Sequence, residues 1–207
     1  MESKNRSIFV IGDSISIHYG PYLKEMIKDK FNYDRKRGIK EALKNLDRPI
    51  GANAGDSVKV LEYLIEENHK NVKYDILLIN CAMHDIRIDR NLLEKQVKES
   101  EYKMNLSKII DIAKNMSSQV LWVSTTPFNE KIHNSRKVGF LRYIKDLETY
   151  NSIAKEIIIE NNIGFIDLYS FTSNLGEDIY CDHVHFNEEV RKLQSAFIAG
   201  YLCNLKE

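Results

Sequence analysis

The sequence has few of the residues that mark disulfide-rich, membrane-spanning or strongly charged proteins. Its 207 residues include three cysteines and three prolines, and lysine plus arginine equal aspartate plus glutamate, at 30 each. An odd, low cysteine count is not a disulfide framework, and reduced thiols are typical of cytoplasmic proteins. A dedicated nucleic-acid-binding protein would show a basic excess. No apolar run approaches the length of a membrane span, and the opening MESKNRSIFV has no apolar signal core. We therefore expect a cytoplasmic protein with no nucleic-acid partner and no membrane span.

The sequence does contain an ordinary share of hydrophobic residues, 43%, distributed in short runs. A chain of this length is expected to form one domain, residues 1–207, and to bury enough surface to fold without a metal or a disulfide. The sequence gives no indication of its oligomeric state.

Short β-rich runs alternate along the chain with longer segments of helical periodicity. The runs DILLIN and VLWVS are apolar throughout, as expected of strands buried on both faces of a sheet. Strands are predicted at residues 7–11, 74–80, 119–125 and 164–168, with a weaker one near 48–52. Helices are predicted at 21–31, 57–68, about 91–116 (one long or broken helix), 140–160 and 187–205. This alternation predicts a parallel sheet with helices on both faces.

Polar side chains follow several of the predicted strands. In parallel α/β sheets, functional groups gather where the strands end, at their carboxyl edge. The tripeptide Gly12-Asp13-Ser14 follows the first strand, NAGDS follows the weak one, and CAMHD follows the strand at 74–80. A serine hydroxyl becomes an effective nucleophile only when a base accepts its proton. On the tripeptide alone, Ser14 is better explained as a helix N-cap.

A candidate base lies near the end of the chain, in the segment DHVHFNEE. Asp182 and His185 are three residues apart, so in a helical turn they share a face. The carboxylate can accept the Nδ1–H of the imidazole and so orient Nε2 as a base, as in a catalytic triad. Two alternatives are a surface Asp-His pair and a metal site that includes His183. Because no further cluster has a recognised ligand spacing, we predict that no metal is bound.

Together these segments resemble the four sequence blocks of the SGNH hydrolase superfamily, which contains the GDSL esterases. GDSIS, NAGDS, CAMHD and DHVHFN occur in block order and cover nearly the whole chain. The resemblance implies a flavodoxin-like, three-layer α/β/α sandwich around a five-stranded parallel sheet. It also implies that Ser14 is the nucleophile, His185 the general base and Asp182 the residue that orients the base, with no cofactor.

The resemblance also implies an oxyanion hole, and here the chain departs from the family pattern. The backbone N–H groups of Ser14 and Gly55 match the first two family donors. Ala82 and His84 stand where the third block usually has glycine and asparagine. A histidine donates through one ring N–H when neutral and through both when charged. We predict that His84 replaces the asparagine, which would add a group that titrates near neutral pH. The alternative is a purely structural His84.

Three further polar residues, Asp13, Asn53 and Asp85, are expected to support the site by holding its loops. The resemblance implies a serine esterase, and SISIHYGPYL is similar to members that act on carbohydrates. We therefore predict hydrolysis of small acyl esters, acetyl esters above all, on a small molecule or glycan through an acyl-enzyme. Two alternatives stay open: an acyltransferase that acylates a sugar, and a non-catalytic binding protein.

Overall fold

The strands of the structure range from strands of six or seven residues that contain an apolar run to strands of only two residues. The computed structural model describes residues 5–137 and 139–205. The strands are β1 (Arg6–Ile11), β2 (Phe31–Arg35), β3 (Tyr74–Ile79), β4 (Ile88–Asp89), β5 (Ser117–Val123), β6 (Phe140–Leu141) and β7 (Gly164–Ile166). Five of them form a parallel sheet in the order β2-β1-β3-β5-β7, and β4 pairs with β6 in a small antiparallel sheet. The five-stranded parallel sheet expected from the family resemblance is confirmed.

Helices flank this sheet. They are α1 (Ser14–Ile27), α2 (Ile39–Ala42), α3 (Ser57–His69), α4 (Glu99–Met116), α5 (Glu130–Ser135), α6 (Ile144–Glu160), α7 (Leu168–Ser173) and α8 (Glu188–Cys203). Helix α8 packs against α1 and α7, while α4 packs against α3 and α6. None of the described helices is both long enough and apolar enough to cross a bilayer.

The main core lies between the sheet and these helices. The central strands β1 and β3 contribute Ile8, Ile11, Ile76 and Ile79, whose side chains are fully buried. Burying one such side chain stabilises the fold by roughly 1.5–3 kcal/mol. The continuous apolar runs seen in the sequence therefore form the rigid centre of the sheet, and the residues that follow them are held at its carboxyl edge.

The fifth strand is not where the sequence predicted it. Residues 48–52 form no strand, and the edge strand is instead β2, with the polar sequence FNYDR, which pairs only with β1. Its last residue, Arg35, is buried and donates hydrogen bonds to the carbonyl oxygens of Ser16 (2.8 Å) and Ala52 (3.2 Å). Pairing with β1 and these bonds, rather than apolar periodicity, fix β2 in place.

Three predicted helix boundaries also shift. The predicted helix at 91–116 begins only at Glu99, since residues before it form turns in which Leu92 and Leu93 are 72% and 73% exposed. The helix predicted at 140–160 begins at Ile144, because residues 140–141 pair as β6. The first helix starts at residue 14 rather than 21, so Pro21 lies inside α1.

Candidate active site

The first element of the site is the turn between β1 and α1. Asp13, not Ser14, caps α1: its carboxylate accepts a hydrogen bond from the N–H of Ile15 at 2.9 Å. Ser14 is the first residue of the helix, so its own N–H belongs to the first-turn amides that have no partner within the helix. Because Asp13 caps the helix, the side chain of Ser14 is not needed as the cap.

Ser14, His185 and Asp182 form a continuous chain of hydrogen bonds. His185 Nε2 lies 2.8 Å from Ser14 Oγ, and His185 Nδ1 lies 2.7 Å from Asp182 Oδ2. Ser14 and His185 are 4% and 3% exposed, whereas the side chain of Asp182 is 44% exposed. The structure thus brings together, across 171 residues of sequence, the three residues on which the sequence resemblance places the triad.

The Asp182 carboxylate is anchored by its own turn. Its Oδ1 accepts the backbone N–H groups of Val184 and His185, both at 2.7 Å. Partial burial acts to raise the pKa of Asp182, but the hydrogen bonds from the His185 ring and from these two amides outweigh it and hold the pKa well below its usual range. A carboxylate that stays ionised accepts Nδ1–H, which directs the lone pair of Nε2 toward Ser14.

Gly55 occupies a position that other residues would not tolerate. Its φ is +79°, and an added Cβ would lie 2.7 Å from Cβ of Pro49. Its N–H donates to Oδ1 of Asn53 at 3.1 Å, while the Asn53 amide donates to the carbonyl of Leu46. Asn53 therefore steadies this loop. An oxyanion bound at Gly55 would share the N–H with Asn53.

His84 is almost completely buried, and its Nδ1 has no hydrogen-bond partner among residues 5–137 and 139–205. Burial, together with the nearby charges of Arg87 and Arg142, lowers the pKa of His84 well below its usual value. The expected titration near neutral pH is therefore wrong: the ring is neutral there and offers one N–H. Whether this N–H meets an oxyanion stays a prediction.

Ala82, which replaces the glycine of the family pattern, has an unfavourable backbone conformation. It has a φ of +152° and is fully buried, at the position where the family has glycine. This region of backbone conformation favours glycine, and holding another residue there costs about 1–3 kcal/mol. The turn is held nevertheless by the bond from the N–H of Ile86 to the carbonyl of Ala82 at 3.1 Å.

Asp13 and Asp85 each accept a backbone N–H near Ser14, Asp13 within its own turn and Asp85 from another segment. Asp85 is fully buried and accepts the N–H of Ser57 at 2.8 Å, which joins the loop after β3 to the start of α3. Burial raises the pKa of Asp85 to about 7 and also raises the pKa of Asp13. Their contacts agree with the supporting role expected for both, which stays a prediction.

Beside His185 lies an open cleft of about 440 Å³, and most of its walls were not anticipated from the sequence. Asp47 and Arg136 face each other there at 3.4 Å, and His183 Nε2 lies 3.6 Å from Asp47. The His183 side chain, with help from Arg136, holds the pKa of Asp47 well below its usual range. These residues come from separate loops, so no spacing in the sequence could have grouped them.

Metal binding and thiol catalysis are the two other chemistries to compare with this arrangement. Among residues 5–137 and 139–205, no three or more His, Cys, Asp or Glu side chains form a group that could hold a metal ion. All three cysteines are free thiols, and Cys81 is the one buried near the site. Burial raises the pKa of Cys81 well above its usual value, so it remains a thiol rather than a nucleophilic thiolate.

Comparison with known proteins yields a fold and no sequence family. No family model and no curated protein matches the sequence. The structure is similar to that of a member of the lipolytic protein G-D-S-L family from Veillonella parvula, with 16% identity, a TM-score of 0.68, and coverage of 96% of this chain and 99% of that one. It is also similar to the lipase/acylhydrolase from Enterococcus faecalis, with 16% identity, a TM-score of 0.69 and 95% of each chain covered.

A third similar structure is an acetylxylan esterase from Geobacillus stearothermophilus. The identity is 14% and the TM-score 0.68, over 100% of this chain and 98% of that chain. The α/β/α fold implied by the sequence blocks is therefore confirmed. At these identities the likeness concerns the fold alone, and the chemistry has to be argued from the site.

Proposed function

We propose that this protein is a serine esterase that hydrolyses small acyl esters, with acetyl esters of carbohydrates as the preferred class. The observation that carries the proposal is the hydrogen-bond chain from Asp182 through His185 to Ser14 at the start of α1. A serine so placed has a base within reach and a helix N-terminus beside it. Both features favour attack on an ester carbonyl.

In the acylation half, Ser14 Oγ attacks the carbonyl carbon while His185 Nε2 accepts the hydroxyl proton. Asp182 stabilises the imidazolium that forms. Negative charge develops on the carbonyl oxygen, and the Ser14 N–H with the ring N–H of His84 would donate to it. The imidazolium then gives its proton to the departing alcohol, which leaves an acyl-enzyme on Ser14.

In the deacylation half, water takes the place of the alcohol. His185 Nε2 accepts a proton from this water as its oxygen attacks the acyl carbon. The same donors stabilise the second tetrahedral intermediate. Collapse returns the proton to Ser14 Oγ and releases the carboxylic acid. Each proton thus moves between the substrate and residues already in hydrogen-bond contact, so the cycle uses no cofactor.

The cleft contains groups that can bind a sugar ester. Its polar residues include Lys44, Asn45, Asp47 and Arg136, and Leu43, Leu46 and Ile132 form its apolar part. The polar side chains can hydrogen-bond to sugar hydroxyls. The similarity to an acetylxylan esterase points in the same direction.

The first test combines covalent labelling with a panel of p-nitrophenyl esters from acetate to palmitate. We expect a fluorophosphonate adduct at Ser14 and the highest kcat/KM for acetate. Ser14→Ala should remove the adduct and lower kcat by about 10⁵–10⁶-fold. The control is Ser100→Ala, which alters an exposed serine in the first turn of α4.

Each alternative predicts a different result. Folded protein without an adduct at Ser14 would indicate a non-catalytic binding protein, and preference for palmitate would overturn the sugar-ester assignment. An acetyl donor supplied together with a free glycan separates hydrolysis from transfer. Acetylated glycan formed faster than acetate would contradict hydrolysis.

A further inference from the structure

Two arginines face each other at the end of the small antiparallel sheet. Strand β4 pairs with β6 so that Ile88 lies opposite Leu141 and Asp89 opposite Phe140. Carried one residue beyond the paired positions, this register would set Arg87 opposite Arg142, and the charge of Arg87 does act on Arg142. Like charges directly opposite each other across an antiparallel pair are destabilising. A pairing of this kind requires compensation from its surroundings.

The surroundings within the protein do not provide a direct ion pair. Arg142 is 2% exposed, its Nε is buried without a partner, and its guanidinium donates no hydrogen bond to the residues the structure describes. Arg87 donates to the backbone carbonyl of Asp47, but its Nε is also buried without a partner. Both guanidinium groups lie near the ring of Phe140, at 4.3 and 4.9 Å from its centroid.

Two buried histidines add unpaired ring nitrogens to these guanidinium groups, and a neutral histidine ring has one donor and one acceptor nitrogen. Neither ring nitrogen of His133 has a partner, and its ring centroid lies 5.3 Å from that of Phe140. Nδ1 of His84 is likewise unpaired. We refer to His84, Arg87, His133 and Arg142 as the Arg87/Arg142 cluster. Its members contain five buried nitrogens without a hydrogen-bond partner among the described residues.

The Arg87/Arg142 cluster lies next to the cleft beside His185, although its four residues are not among those that line that cleft. The ring of His133 stacks on His183 at 4.9 Å, and His183 lies 6.4 Å from His185. The positive charge of Arg142 also acts on both neighbours of the reaction centre, since it lowers the pKa of His84 and opposes the effect of burial on Asp13. A group bound at the cluster would therefore lie beside an ester held at Ser14.

Acidic residues act on the cluster without forming an ion pair with it. The charges of Asp47 and Asp13 act on Arg142, and the charge of Asp47 also acts on Arg87. Within the described ranges, no carboxylate oxygen comes within 4 Å of either arginine. Asp47 contacts Arg136 and His183 instead. Buried cations and unpaired donors are costly unless a group of opposite charge accepts their hydrogen bonds.

We propose that the Arg87/Arg142 cluster binds an anionic group of the substrate, so that the acyl group removed at Ser14 is carried by an acidic sugar. A carboxylate, a phosphate and a sulfate share the required chemistry, because each presents oxygens that a guanidinium fork contacts two at a time. This inference rests on the proposed esterase function and names its substrate class.

The kinetic test uses three matched esters: O-acetylated methyl glucoside, methyl glucuronoside and methyl glucoside 6-phosphate. We expect kcat/KM for one of the acidic esters to exceed that for the neutral ester by at least about tenfold, which corresponds to one charge-assisted hydrogen bond. Whichever acidic ester is preferred identifies the anion. Equal or higher kcat/KM for the neutral ester would overturn the proposal.

Substitution of the buried arginine tests the site itself. Arg142→Gln should reduce the preference for the acidic ester by about 10–100-fold, and Arg142→Lys should lose much of it because lysine has no planar fork. The control Arg6→Gln changes net charge equally at the opposite edge of the sheet, where Arg6 bonds to Gln119. An equal preference in Arg142→Gln and Arg6→Gln contradicts the proposal.

Binding can be tested without catalysis. In Ser14→Ala protein, inorganic phosphate or glucuronate should raise the Tm relative to sodium chloride of equal ionic strength, because a ligand that binds the native state stabilises it. Adding Arg142→Gln should abolish this rise. If the anion raises the Tm of Ser14→Ala protein while the wild type shows no esterase activity, that result would support the anion site and contradict the proposed function. No rise with either anion overturns the site, even if Arg142→Gln fails to fold.

Discussion

At the scale of single residues, the Ser14–His185–Asp182 chain lies where the sequence motifs place it, while His84 could be understood only from its surroundings. The pair Asp182 and His185 is local, so its spacing alone indicates that one side chain can orient the other. The ionisation of His84 depends instead on Arg87 and on burial, and neither can be read from CAMHD. The sequence therefore predicted a titrating donor where the structure has a neutral one.

The neutral state of His84 leads to a prediction about oxyanion stabilisation. His84→Ala should lower kcat/KM by about 10²–10³-fold, the usual cost of removing one oxyanion donor. His84→Asn should retain most activity, since an amide also donates. The kcat/KM of each variant relative to wild type should stay constant from pH 6 to 8, because the pKa of His84 lies well below its usual value. Ester hydrolysis measured across this range checks both.

The matched control is Met83→Leu, a change of similar volume at the buried neighbour of His84. If His84→Ala and Met83→Leu lose activity equally while both remain folded, His84 has only a structural role. The outcome would then favour the alternative that the sequence left open.

At the scale of secondary-structure elements, β3 and β5 could be predicted because each contains an apolar run. Strand β2 was not predicted because it contains no such run. A central strand is buried on both faces, so its sequence is apolar throughout. The edge strand β2 pairs with β1 alone, and only its two end residues, Phe31 and Arg35, are buried. Its burial depends on Arg35, whose bonds to Ser16 and Ala52 are tertiary contacts without a sequence signature.

Packing between α1 and β2 gives a prediction at this scale. A Cβ added to Gly20 in α1 would lie 2.5 Å from Oη of Tyr33. Gly20→Ala should therefore lower the free energy of unfolding by about 1–3 kcal/mol, the usual cost of overpacking. Tyr33→Phe removes the clashing oxygen. In that background, we expect Gly20→Ala to cost little or to stabilise.

The measurement is a double-mutant cycle of urea unfolding, in which the coupling between Gly20 and Tyr33 should exceed about 0.5 kcal/mol. Gly200→Ala in α8 is the matched control, because no atom lies within 4 Å of its added Cβ. Alanine is the better helix former, so this variant should gain about 0.5–1 kcal/mol. Additive effects at Gly20 and Tyr33 would show that the two elements do not clash.

At the scale of the whole molecule, the sequence predicted which polar residues gather at the carboxyl edge of the main sheet. It did not predict that the small antiparallel sheet brings Arg87 and Arg142 together. The carboxyl edge collects Ser14 and the residues after β3 because parallel strands end together. Arg87 and Arg142 meet through the register of two strands of two residues each, separated by 50 residues of chain. Pairing this short leaves no periodicity to detect, so the Arg87/Arg142 cluster could be recognised only in the structure.

The free energy of unfolding should depend on pH because Asp85 is buried beside the site. Burial raises the pKa of Asp85 from 3.8 to about 7 in the folded state, so between these values the native protein binds a proton that the unfolded chain releases. The contribution of Asp85 to the free energy of unfolding therefore falls as pH rises from about 4 to about 7, and levels off above.

Asp85→Asn isolates this contribution, since the amide oxygen still accepts the N–H of Ser57 and carries no charge. The stability of the variant relative to wild type should rise with pH between about 4 and 7, as measured by urea unfolding at intervals from pH 4 to 8. Asp89→Asn is the control: hydrogen bonds from the N–H groups of Leu92 and Asn91 lower the pKa of Asp89, so its difference from wild type should stay nearly flat in this range. A flat difference for Asp85→Asn as well would mean that Asp85 ionises in the folded protein as easily as in the unfolded chain, and that it makes no pH-dependent contribution to stability.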